Sequence, residues 1–263
     1  MQIWSLMENT AGCDGVQVEH GLSLYIETGK HKILFDAGQS GAFAENARAM
    51  GVDLAQVDLA VLSHGHFDHG GGLSRFLKEN DHAPVYISAR AFEPHFGAQQ
   101  RYIGLDPALQ GDPRLVPVEE HLQLDEGLEL FACGDRELTW PIDSAGLFVE
   151  KDGVCLPEDF RHEQYLLIRE GEKRVLISGC SHRGILNIMN WFAPDVLIGG
   201  FHFMKLDPEG EGRDTLEQAA RQLGSYSTQY YTCHCTGLAP YAFLKERMGE
   251  RLDYLATGDH LVL

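Results

Sequence analysis

The stretch Ser63-His64-Gly65-His66-Phe67-Asp68-His69-Gly70-Gly71-Gly72 constrains this chain more than any other. It places three imidazoles and a carboxylate within six residues, directly after the mostly apolar run Val57-Asp58-Leu59-Ala60-Val61-Leu62. Histidine accounts for 13 of 263 residues. At that frequency a string of this form arises by chance in about one such chain in 500, so a fortuitous histidine-rich turn is a poor explanation. Imidazole nitrogen and carboxylate oxygen suit zinc, and also iron or manganese. Side chains alternate on an extended chain, so His64 and His66 can point the same way and share one ion. Asp68 and His69 fall where the chain turns into a helix, and so can face a neighbouring ion. A strand that presents ligands at its carboxyl end, just ahead of a helix, is where open α/β sheets usually bind their ligands.

Periodicity divides the rest of the chain into two similar halves. Short apolar or alternating runs predict strands over 2–8, 20–28, 31–36 and 57–62, with helices over 40–50 and near 71–79. The second half predicts strands over 164–169, 173–178, 195–199, 228–232 and 253–256, and helices over 183–192, 214–223 and 239–248. Alternating strands and helices imply a layered α/β architecture. Residues 92–160 are the least regular stretch and carry six of the ten prolines. They are expected to form either a lid over the site or a surface excursion. No repeat or linker breaks the chain, so a single domain over 1–263 is expected.

Composition narrows the partners. The formal net charge is −18, which disfavours nucleic acid or an anionic membrane surface, because binding phosphates in bulk needs a basic footprint. A locally positive metal centre leaves an anionic small molecule open as substrate. No apolar run reaches membrane-spanning length, and the amino terminus lacks the pattern of a signal peptide. The six cysteines are scattered, without the density of a disulfide framework. A reduced cytoplasm is the expected setting; the oligomeric state is not legible.

With its metal string following an apolar strand, the chain resembles the metallo-β-lactamase fold superfamily of mostly dinuclear hydrolases. Further marks are Glu19-His20-Gly21-Leu22-Ser23, Phe35-Asp36-Ala37-Gly38, Ser178-Gly179-Cys180-Ser181-His182, Gly199-Gly200-Phe201-His202 and Cys233-His234-Cys235-Thr236-Gly237. They make it look like the branch of dihydropterin-methyl-ribofuranosyl-aminobenzene-phosphate synthases and span most of the chain. The resemblance implies a four-layer αββα sandwich with two divalent ions at one edge of the sheets. It assigns His64, His66 and His182 to one ion, and Asp68, His69 and His234 to the other. It also implies an aspartate at position 36 that orients a ligating histidine; the residues alone allow equally a turn aspartate before Gly38.

Cys180 stands where many superfamily members have a bridging aspartate. Its thiolate is a candidate metal contact, against the common role of a free cysteine as a small buried residue. Cys233 and Cys235 read as packing residues. His20, His162 and Glu163 are candidate substrate contacts, and His202, included in the branch resemblance, is a candidate catalytic group beside Asp68; for each histidine a hydrogen-bonded structural role is the alternative. His31, His82, His95, His121 and His260 carry no special context and are expected to face solvent.

Two expectations for function follow. A paired metal centre would attack a phosphoester or ester through a metal-bound hydroxide, with Asp68 orienting it and His202 stabilising charge or protonating the leaving group. The branch resemblance implies instead a synthase-like condensation, with the ions as Lewis acids. Diiron oxygen reductases share the fold but usually carry a carboxylate where this chain has His66, and add a flavin domain. The remaining alternative is a metal-dependent ligand-binding or sensor module without turnover.

Overall fold

Many of the strands bury both faces, and their side-chain alternation sorts apolar residues between separate cores. A computed structural model describes residues 1–263. In chain order the strands are β1 (Gln2–Met7), β2 (Ser23–Glu27), β3 (Lys32–Phe35), β4 (Leu59–Val61), β5 (Val85–Ser88), β6 (His95–Phe96), β7 (Leu115–Val118), β8 (His121–Asp125) and β9 (Leu128–Ala132). They continue as β10 (Phe148–Lys151), β11 (Val154–Pro157), β12 (Gln164–Glu170), β13 (Lys173–Ile177), β14 (Val196–Ile198), β15 (Gln229–Thr232), β16 (Leu252–Tyr254) and β17 (His260–Val262). The helices are α1 (Ala42–Ala49), α2 (Phe67–Gly70), α3 (Leu73–Glu79), α4 (Ile185–Phe192), α5 (Arg213–Leu223) and α6 (Leu238–Met248).

Two seven-stranded mixed sheets result, in the orders β17-β1-β2-β3-β4-β5-β7 and β16-β15-β14-β13-β12-β9-β8. Their facing sides share one core. Ile33 and Phe35 of β3 enter it from the first sheet, and Val175 and Ile177 of β13 from the second. The intervening Leu34 points outward onto Phe43, Ala44 and Ala47 of α1 and Leu73 and Phe76 of α3. Leu176 points the opposite way, onto Ile188 and Met189 of α4, Leu216 of α5 and Leu244 of α6. Helix, sheet, sheet and helix therefore stack in four layers, as expected.

Most of the expected elements form, with ends moved by a few residues. The helix expected near 71–79 forms as α3, and a further short helix, α2, precedes it within the metal string. Periodicity did not single out β5, β6, β7, β8, β9, β10, β11 or β17. Two of these, β7 and β17, are edges of the first sheet, and β7 contains Pro117, which only an edge strand readily tolerates. Residues 92–160 do not form one irregular excursion. Their β7, β8 and β9 extend the two main sheets, while β6, β10 and β11 make a separate three-stranded sheet. No helix is long and apolar enough to cross a membrane.

Candidate metal centre

Parallel strands from both sheets end at one edge of the sandwich, and the chemistry-bearing residues sit just past those ends. Asp36 follows β3 and His64 follows β4, which pair in parallel. Cys180 and His182 follow β13, His202 follows β14 and His234 follows β15, a second parallel set. The backbone reverses sharply at these exits. Asp36, Ser181, His202 and His234 all take positive φ, between 47° and 60°, a conformation costly outside glycine and often stored at functional sites. Gly179 also has positive φ (+63°), and a Cβ there would come within 2.5 Å of Ser63. Only glycine lets the two sheets' exit loops approach this closely.

Hydrogen bonds fix which ring nitrogens face the cavity. Asp36 is buried and accepts three bonds: from Ser63 N–H (2.7 Å) and Ser63 Oγ–H (2.7 Å), and from His69 Nδ1–H (2.6 Å). Because Ser63 spends its one proton on Asp36, its oxygen accepts from His64 Nδ1–H at 2.8 Å. Asn9 Oδ1 accepts from His234 Nδ1–H at 2.8 Å. His64, His69 and His234 are thereby held in the tautomer whose Nε2 carries a lone pair.

Those lone pairs converge. His69 Nε2 lies 3.2 Å from His234 Nε2 and 3.1 Å from Cys180 Sγ. His64 Nε2 lies 3.3 Å from His182 Nε2. Asp68 Oδ2 lies 3.4 Å from His234 Nε2, 3.8 Å from His69 Nε2 and 3.3 Å from His20 Nε2. Three sets could each hold a cation: His64, His66 and His182; His64, His69 and Cys180; and His20, Asp68 and His234, with potential ligand atoms within 4.8 Å in each set. Two facing lone pairs at 3.2 Å repel unless a cation sits between them, so this donor set fits a metal ion.

Burial keeps the rim neutral. Desolvation, aided by neighbouring histidines, lowers His64 and His182 well below the ordinary imidazole range, and lowers His66 to about 3. Desolvation lowers His234 to about 4, against the pull of Asp68. His69 is the exception. Burial disfavours its charged form, but the Asp36 and Asp68 carboxylates outweigh that and raise it. Burial alone would raise Asp68, yet His69, His20 and His234 hold it well below the usual carboxylate range. The Cys180 thiol is pushed up by burial and by Cys235.

The other expected residues divide. His202 lies beside the His182 ring, 4.2 Å between centroids, with a buried Nδ1 that has no partner. Desolvation, then Lys205, lowers it to about 4. His20 is half-exposed at the cavity mouth, with its ring 4.8 Å from that of His234. His162 and Glu163, expected at the substrate, are both sealed. His162 Nδ1 accepts from Gly65 N–H at 2.8 Å and so braces the metal string from behind. Glu163 accepts from the backbone of His182 and Arg183 and from Tyr165 O–H. It shapes the loop that carries His182, and has no oxygen turned to a substrate.

Cys233 packs between the sheets as expected, and Cys235 donates to Cys180 O. His82, His121 and His260 are exposed and His31 is partly so. His95 overturns its expectation. It is fully buried, with Nδ1 2.6 Å from Glu158 Oε2. Sequence reasoning also missed Asn9, Ser63, Glu158 and Glu8, whose carboxylate accepts from His234 N–H and Tyr254 O–H. Only Ser63 had a signal, its place at the head of the metal string.

Comparison with known proteins agrees with this fold. The model of the metallo-beta-lactamase superfamily matches residues 16–146. An uncharacterized protein of Methanocaldococcus jannaschii is 30% identical over 243 residues, covering 88% of this chain and 89% of its own. The 7,8-dihydropterin-6-methyl-4-(beta-D-ribofuranosyl)-aminobenzene-5'-phosphate synthase of the same organism is 27% identical over 288 residues, covering 98% of this chain and 95% of its own. The crystal structure of Tm1679, described as a metal-dependent hydrolase of the beta-lactamase superfamily, superposes with a TM-score of 0.84 at 27% identity, over 100% of this chain and 99% of that one.

Proposed function

This chain belongs to the metallo-beta-lactamase superfamily, and from that premise we propose that it is a metal-dependent enzyme that hydrolyses a phosphoester or ester of a small molecule. The observation that carries this reading is the set of imidazoles locked with lone pairs facing inward, His69 and His234 being only 3.2 Å apart. In the proposal His64, His66 and His182 hold one divalent ion, and Asp68, His69 and His234 hold a second. Cys180, 3.1 Å from His69 Nε2, joins them as a ligand. A thiol among imidazoles favours zinc or iron over manganese, and zinc is the proposed ion. Bound there, a pair of such ions supplies an activated water at neutral pH and polarises an oxygen of the substrate.

The chain's own groups do the rest. Asp68 is held ionised by the three histidines around it and keeps negative charge aimed at the cavity. His202 stays neutral near pH 7, so it serves as a hydrogen-bond donor to developing negative charge and not as a cationic acid. His20 guards the mouth, where a substrate must pass. The net charge of −18 disfavours nucleic acid, while a locally positive metal centre would still admit a small anionic molecule. All six cysteines are free, which suits the cytoplasm. A second reading is a synthase-like condensation on a pterin-type substrate. It is favoured by the end-to-end similarity to the Methanocaldococcus synthase.

Metal content per chain, measured by elemental analysis on protein purified without chelator, tests the proposal. Close to two ions are expected, with the His64→Ala variant depleted. No ion in wild-type protein would sink the enzyme reading. Two ions with no turnover of phosphoesters, esters or pterins would favour a metal-dependent sensor.

A further inference from the structure

Behind the metal rim lies a second, fully buried group: His66, His95, Glu158 and His162. It is built by the small sheet, since His95 lies in β6 and pairs with Val149 of β10, while Glu158 follows β11. Three of its ring nitrogens, the Nε2 atoms of His66, His95 and His162, are buried with no partner. Such atoms are costly unless something satisfies them.

A third metal ion is one way to satisfy them, and the hydrogen bonds speak against it. His162 Nδ1 accepts from Gly65 N–H, so its proton sits on Nε2, which then has no lone pair to offer. The His95 and His162 rings also stack side by side, 4.0 Å between centroids and 30° between planes, instead of converging on a point. The alternative accounts for Glu158 and His95, and leaves His162 Nε2–H 3.7 Å from Glu158 Oε1. Glu158 Oε1 accepts from the backbone of Asp159 and Phe160, leaving Oε2 to accept from His95 Nδ1–H at 2.6 Å. His95 Nε2 then carries a free lone pair. The His66 ring stands edge-on to it, centroids 5.4 Å apart at 85°.

We propose that the Glu158–His95 pair positions the metal ligand His66 from behind: the two partnerless atoms, His66 Nε2–H and His95 Nε2, are the donor and acceptor that meet when His66 Nδ1 holds the metal. This rests on the metal-centre reading above. Ligating imidazoles generally donate their second N–H to an oriented acceptor, which fixes the ring and raises its basicity as a ligand. For His69 that acceptor is Asp36. For His66 it is an imidazole whose far side is backed by a carboxylate. His95 and Glu158 touch neither substrate nor ion, and act only through His66.

The test compares zinc-loaded full-length wild type with His95→Phe and with Glu158→Gln, which keeps the shape of the carboxylate and guards against simple misfolding. Zinc affinity is read by chelator competition, and the His66 tautomer by nitrogen-15 and proton NMR of the imidazoles. In wild type, His66 should show a protected Nε2–H with a cross-relaxation contact to His95. In both variants that contact should vanish or weaken, and affinity at one site should fall about 10- to 100-fold, the usual cost of losing such a partner. His95→Gln, which keeps an acceptor oxygen, should recover part of the loss. Unchanged affinity and an unchanged His66 spectrum in folded variants would overturn the proposal while leaving the two-ion centre standing. A third zinc per chain, lost in His95→Phe, would overturn it in favour of a metal site. Wild type with no zinc at all would overturn both this and the function above.

Discussion

The rim facing the cavity and the sealed pocket behind it use the same residue types to opposite ends. At the rim, Asp36, Ser63 and Asn9 take up the Nδ1–H groups of His69, His64 and His234, and leave lone pairs pointing at one another across 3.2 to 3.3 Å. Acceptors there gather in one place, an arrangement that suits a cation. In the pocket, Glu158 accepts from His95 Nδ1–H and His162 Nδ1 accepts from Gly65 N–H, so the rings are tied to protein groups from behind and do not converge on one point. Histidine count is therefore a poor guide to metal binding. The tautomer that each ring's partner enforces decides it.

If that contrast is right, the rim should lean on metal for stability and the pocket should not. Chelation should give the largest effect. An ion present at 100 times its dissociation constant adds about 2.7 kcal/mol per site to the folded state. Wild type should lose that on metal removal, as a fall in the urea midpoint. A midpoint unmoved by chelator would erase the distinction between the two regions.

A sharper probe is Asp36→Asn. An amide can no longer accept on both atoms, so it presents N–H either to Ser63 N–H or to His69 Nδ1–H. The His69 tautomer should then flip and turn an N–H toward the ion. Zinc affinity should drop about 10- to 100-fold, as the chelator competition would record; wild-type affinity in this variant would mean that Asp36 does not set the tautomer.

The smallest effect is expected at Cys180. Cys180→Ser should leave a folded protein that still binds two ions, but the cobalt-substituted form should lose its sulfur-to-metal absorption. An identical spectrum would return Cys180 to the role of a packing residue. Its thiol is pushed up by burial in the metal-free protein, so only an ion can make a thiolate there.

Legibility from sequence followed locality. The string from His64 to His69 was readable because its ligands are neighbours in the chain and their spacing matches strand alternation. His182 and His234 were reached through the family resemblance, each lying past an apolar strand. His162 and Glu163 take the structural role that the sequence left open beside substrate contact. They sit just before β12, as a substrate contact could, yet Glu163 accepts from backbone 19 and 20 residues away and His162 from backbone 97 away. His95 gave no signal, since it lies among prolines in a two-residue strand.

What the sequence by itself determined is the layered α/β pattern and the first ligand string, because both rest on periodicity and local spacing; the four-layer sandwich came from the family resemblance. What only the tertiary structure decided is which nitrogen each histidine offers. His234 takes its tautomer from Asn9, 225 positions distant, and His69 takes its own from Asp36, 33 positions distant. A proton's place on an imidazole depends on the partner that folding brings beside it, and no spacing along the chain encodes that.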